Sequence, residues 1–146
     1  MQGVHRLGGI VATATAAAVI GFAVPAVAQV FVVREDSPIR SLSPAQVRDI
    51  YFGRLTLWGG VVEPTLLRPV FNRGEAGPAF FELLGESEIR FQRYWMKMTL
   101  SGKARPPKAV KDGAAVLATI RKDKSAIGFV AQPPSVPGVR VVPVVP

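Results

Sequence analysis

The chain has 146 residues, eighteen basic against ten acidic side chains for a formal charge of +8, one histidine and no cysteine. That length suits one domain. The missing cysteine rules out disulfides, thiolate chemistry and a lipid attached through sulfur, and one histidine at position 5 leaves no Cys/His zinc signature and no histidine base in the body of the chain.

Mean hydropathy is +0.28, and much of it comes from the first thirty residues. Arg6 is the one charged side chain before an uncharged stretch from Leu7 to Val33, and Pro25 interrupts that stretch ahead of Ala26-Val27-Ala28. A basic start, an apolar middle and a small-x-small end are the layout of a cleavable secretory signal peptide, with cleavage expected after Ala28. The competing reading is a retained anchor, since the run is long enough for a hydrocarbon core of about 30 Å. Its many Ala, Gly and Thr residues and the A-x-A site favour cleavage, with no stable membrane insertion afterwards.

The mature chain then runs from Gln29 to Pro146 and, having lost Arg6, carries +7. An exported domain without disulfides must be held by apolar packing alone. Its charge favours anions, lipid headgroups or an acidic protein partner, and export argues against nucleic acid.

Gln29 to Arg34 (Q-V-F-V-V-R) is a nearly continuous apolar run, expected as a central strand covered on both faces, and Glu35-Asp36-Ser37-Pro38 is turn chemistry. Ser43-Pro44 supplies an N-cap hydroxyl and a proline at the first helical position. Val47, Ile50 and Tyr51 at i, i+3 and i+4 then predict a helix from Pro44 to Phe52, ended by Gly53. Leu57-Trp58-Gly59-Gly60 is expected as a loop, and Leu66 to Phe71 as a second strand, Pro69 marking it as an edge strand or a strand start.

Asn72 to Pro78 is a glycine-rich turn into a short helix, Ala79 to Leu84, closed by Gly85. From Ser87 a longer amphipathic helix is expected, with Phe91, Tyr94, Trp95 and Met98 on the core face and Gly102 as its stop. Tyr94, Trp95 and Trp58 are expected as core rather than as cleft lining. Arg90, Arg93 and Lys97 line another face and Lys103, Arg105, Lys108 and Lys111 continue the charge; a solvated face is the simpler account, contact with anionic headgroups or an acidic partner the other.

Residues 102–108 are expected as an extended loop, Asp112 as the cap of a further helix carrying Val116, Leu117 and Ile120, and Ala126 to Val130 and Val139 to Val142 as strands joined by a proline-rich connection. Alternating strands and helices predict an α/β domain with helices flanking a central mixed sheet.

Three segments in this order, Leu42 to Gly53, Pro69-Val70-Phe71-Asn72-Arg73 and Ala126 to Val130, resemble the phosphate-type periplasmic substrate-binding proteins of ABC importers. Tyr94-Trp95 and Ser101 to Pro107 are similar to short, single-lobe relatives of these proteins, so the resemblance spans nearly all of the mature chain. It implies a single lobe of a type 2 periplasmic-binding fold over residues 29–146, a periplasmic location, and binding rather than catalysis, with no cofactor and no metal. It also implies phosphate or another small anion at the strand-to-helix loop, on Arg73, Gly74, Glu75, Ala76 and Gly77. This sequence departs from the family pattern there, because Gly74 to Gly77 carries no hydroxyl and Glu75 adds a negative charge. The alternative is a lobe without a ligand that docks on an envelope or transporter component; a homodimer is a further way to close a one-lobe site.

Overall fold

The computed structural model describes residues 16–18, 21, 29–59 and 63–146. Most of the leader expected over residues 1–28, its cleavage site after Ala28, and Gly60 of the expected loop lie outside the described residues. Among the described residues, no helix is long and apolar enough to cross a membrane.

The described residues form eleven elements in chain order: β1 (Val30–Arg34), α1 (Pro44–Tyr51), β2 (Leu57–Trp58), β3 (Thr65–Leu66), β4 (Arg68–Asn72), α2 (Gly77–Leu84), α3 (Glu88–Leu100), β5 (Lys108–Val110), α4 (Gly113–Lys122), β6 (Ala126–Val130) and β7 (Val139–Val142). Five strands form one sheet in the order β5-β4-β6-β1-β7. β4 runs parallel to β5 and β6, whereas β1 is antiparallel to β6 and β7, so the sheet is mixed. The α/β architecture expected from the alternating pattern is the one observed.

The pleat sorts side chains to two faces. Phe31 and Val33 of β1, with Ile127 and Phe129 of β6, join Tyr51, Phe80, Phe81, Phe91 and Trp95 in a large aromatic core beneath α1, α2 and α3. Val32, Val70, Ala126 and Val130 face the other way, onto Val116 and Ile120 of α4. At the centre of the first core Phe80 and Phe129 stack with centroids 4.4 Å apart and planes 3° apart. Apolar side chains on both faces are what the unbroken runs of β1 and β6 require.

Local chemistry sets the helix ends. Ser43 closes a capping box with Gln46, and Ser87 and Asp112 accept from the amides of Arg90 and Ala115. Gly53, Gly85 and Gly102 follow their helices at φ of 71°, 64° and 68°.

Three expectations need correction. Leu57-Trp58 is not loop: it pairs with Thr65-Leu66 in a two-stranded hairpin, a pairing too short to leave a period in the sequence. The segment from Leu66 to Phe71 is divided between β3 and β4. Its proline does not mark an edge, since β4 lies inside the sheet; Pro69 stands at the start of the strand, below the point where β5 begins to pair at Val70. The expected loop over 102–108 gives way at Lys108 to β5, one of the two edge strands of the sheet.

Candidate functional site

β4 and β5 lie side by side and parallel, but their chains leave in opposite directions. After β4 the chain turns to α2 and α3 on the aromatic face; after β5 it turns to α4 on the opposite face. A divergence of this kind opens a crevice at the carboxyl ends of the strands, where ligands bind in open α/β sheets.

The turn at that point is built around Asn72, which is 1% exposed at the end of β4. Its Nδ2 donates to the Phe129 carbonyl at 3.1 Å, and its Oδ1 accepts from the Gly74 amide at 2.7 Å. One side chain thereby ties the turn to the neighbouring strand and bends it. Gly74 approaches the β5–α4 connection closely: a Cβ there would lie 3.0 Å from Asn72 Oδ1, 3.3 Å from Asp112 Cα and 3.4 Å from the Lys111 carbonyl. The Arg73 amide donates to the Val110 carbonyl at 2.9 Å, so the two connections are joined through backbone as well.

α2 begins without a side-chain cap, its N-cap being Ala76. The Gly77 amide is spent on the Gly74 carbonyl at 3.1 Å, and Pro78 has no amide to offer. A cleft of about 960 Å³ opens against this helix start. Phe71, Arg73 and Gly74 of β4 and its turn form one side, Gly77, Pro78 and Phe81 of α2 the next, Phe91, Gln92 and Trp95 of α3 the floor, and Pro106, Pro107 and Ala109 the far wall. The cleft exists because β5 is an edge strand whose Ala109 is left exposed by α3.

The five residues expected at the site divide in the structure. Arg73, exposed, and Gly74 and Gly77 line the cleft; Glu75 is exposed but outside the lining, and Ala76 is buried beneath the turn. The carboxylate that does border the cleft is Glu88, which accepts from Gln92 Nε2 at 3.2 Å.

Trp95 serves two purposes. It is buried as expected, its indole N–H donating to the Tyr51 carbonyl at 3.1 Å, and its ring also forms part of the cleft floor. Tyr94 is partly buried and donates its hydroxyl to the Phe52 carbonyl at 2.7 Å, fastening α3 to the end of α1. Asn72 and the aromatic wall were missed as site residues. An Asn two residues before a Gly at a strand end is the one sequence signal that points to such a turn.

No protein-family model and no curated protein matches the chain. Among solved structures, an ABC-type phosphate transport receptor from Vibrio cholerae superposes with a TM-score of 0.58 at 19% identity, over 79% of this chain and 45% of that one. A protein from Clostridium perfringens described as a phosphate ABC transporter substrate-binding protein, solved with bound phosphate, gives 0.60 at 20% identity, over 80% and 44%. The chain thus has the α/β fold of phosphate-type ABC transport binding proteins, spanning less than half the length of the two it matches.

Proposed function

We propose that the chain is an exported solute-binding lobe whose cleft takes a small anion, with Arg73 meeting the charged group beside Gly74 and Gly77 of the turn. The observation that carries this reading is the cleft of about 960 Å³ set against the uncapped start of α2, with Arg73 on its rim. The partial positive charge of a helix N-terminus and a guanidinium beside it act in the same sense, toward an anion. Export after removal of residues 1–28, and service to an ABC importer, belong to the same proposal. They are supported by the leader pattern and by the fold shared with transport receptors.

The chemistry of the walls narrows the ligand. With no hydroxyl between Gly74 and Gly77, and with the Gly74 and Gly77 amides already engaged, few donors are left to replace the hydration of a phosphate dianion. A monoanion carrying an apolar body fits better, since Phe81, Phe91 and Trp95 supply an apolar surface below the Arg73 rim.

Calorimetric titration of the protein with phosphate, sulfate and benzoate at low salt, beside an Arg73→Ala variant, tests this. The expected result is saturable heat with benzoate above phosphate, and at least about a tenfold loss of affinity in the variant. Folded protein that gives no heat with any of the three would overturn the reading in favour of a lobe that docks on an envelope partner.

A further inference from the structure

α3 turns one face to the aromatic core and carries a second apolar stripe directly opposite. Phe91, Trp95 and the partly buried Met98 point inward, whereas Ile89, Met96 and Leu100 are 60%, 63% and 82% exposed. At 3.6 residues per turn, Met96 and Leu100 fall within about 20° of Ile89, and the inward set lies across the helix. The outer residues therefore form one ridge along a convex surface.

The flanks of the ridge differ. Arg93, Lys97 and Arg90 stand on one side, within about 100° of Ile89, and Glu88, Gln92 and Thr99 on the other. All three basic residues are exposed, and the ion pairs found among the described residues involve Arg34, Arg48, Arg54 and Arg68 instead. Lys103 follows at the end of the helix, where its amide donates to the Met98 carbonyl.

We propose that this outer face of α3 adsorbs the protein onto an anionic phospholipid surface, Ile89, Met96 and Leu100 entering the headgroup layer and Arg90, Arg93 and Lys97 pairing with lipid phosphates. An apolar ridge beside a cationic flank is the pattern of helices that lie in a membrane interface, and each basic residue adds to the attraction. The basic excess, +8 over the full chain and +7 from Gln29 onward, acts in the same direction at longer range. A ridge of three side chains on a convex helix is too narrow for the core of a stable protein interface, which buries roughly 1,200 Å² or more. A second copy laid antiparallel about a twofold axis would bring its own Arg90, Arg93 and Lys97 against the same flank, and like charges oppose that pairing. A deformable anionic surface has neither difficulty. The proposal is independent of the cleft.

The chain has no cysteine, so Met96→Cys and, on α4 across the sheet, the exposed Ala118→Cys each give one site for an environment-sensitive fluorophore. With vesicles of phosphatidylcholine and phosphatidylglycerol, the probe at position 96 is expected to shift to the blue and be quenched by lipid-borne nitroxide. The probe at 118 should not respond, and neither should respond to phosphatidylcholine alone. Adding Arg93→Gln and Lys97→Gln should raise the lipid concentration needed by at least about tenfold. The proposal is overturned by an unchanged probe at 96 while protein sediments with the vesicles, by an equal response at 118, or by insertion into neutral vesicles. It is equally overturned if the shift grows with protein concentration without lipid, which would assign the ridge to a second copy.

Discussion

Tyr51 places a hydroxyl in the middle of the aromatic core, where it donates to the Val70 carbonyl at 2.8 Å. Burial raises its pKa well above the ordinary value of 10.0, because the core would strip a phenolate of its water. The sign of the linkage follows. Below about pH 10 both folded and unfolded chains keep the proton and stability is full; above it the unfolded chain ionises and the folded one does not, so stability falls as pH rises. Denaturant unfolding followed from about pH 8 to about pH 11 should show this alkaline decline. Tyr51→Phe should flatten it while costing about 1 kcal/mol at neutral pH for the lost hydrogen bond. An unchanged decline in the variant would place its cause elsewhere.

β6 and α4 meet with no room between them. All five residues of β6 are buried, and a Cβ on Gly128 would lie 2.6 Å from Val116 Cγ1, with Val70 Cβ and Ile120 Cδ1 at 3.5 and 3.7 Å. This glycine is needed for contact, because it lets the helix sit directly on the strand. Gly128→Ala should therefore cost about 1–3 kcal/mol by overpacking. It should appear as a lower urea midpoint at unchanged slope, and Val116→Ala in the same chain should recover part of it. Full additivity of the two losses would show that the crowding is relieved by some other movement. The basic outer face of α3 belongs to this scale too. Its arginines and lysine were legible as a stripe and Phe91 and Trp95 as the core face, but it is the fold that leaves Ile89, Met96 and Leu100 exposed as a ridge beside them.

At the scale of the molecule, the two apolar clusters are not separable. β1 contributes Phe31 and Val33 to one and Val32 to the other, and β6 divides in the same way. Among the described residues, every member of both clusters lies at or beyond Val30. The chain starting at Gln29 should consequently unfold in one transition, with the same midpoint by tryptophan fluorescence and by far-ultraviolet circular dichroism. Trp95 reports the α1–α3 side and backbone dichroism the whole sheet, so two separated midpoints would mean that the faces melt independently.

The sequence by itself determined the α/β class, the helices and the long strands, because their signals are local. Ser43-Pro44, Ser87 and Asp112 cap their own helices, the apolar run of β1 announces a strand covered on both faces, and that of β6 a strand. The strand-to-helix turn was also legible, and of its five expected residues Arg73, Gly74 and Gly77 line the cleft while Glu75 and Ala76 do not. Tertiary structure alone decided the rest. Lys108 to Val110 is a strand only because β4 lies beside it, and the two-residue partners Leu57-Trp58 and Thr65-Leu66 have no period to read. Asn72 shapes the turn by reaching Phe129, and Phe71, Phe81, Phe91 and Trp95 become one wall only after α2 and α3 have folded back over the sheet. Apart from the β2–β3 hairpin, whose paired residues Leu57–Leu66 and Trp58–Thr65 are close in the chain but too few to leave a period, such contacts join residues far apart, and no local propensity encodes them.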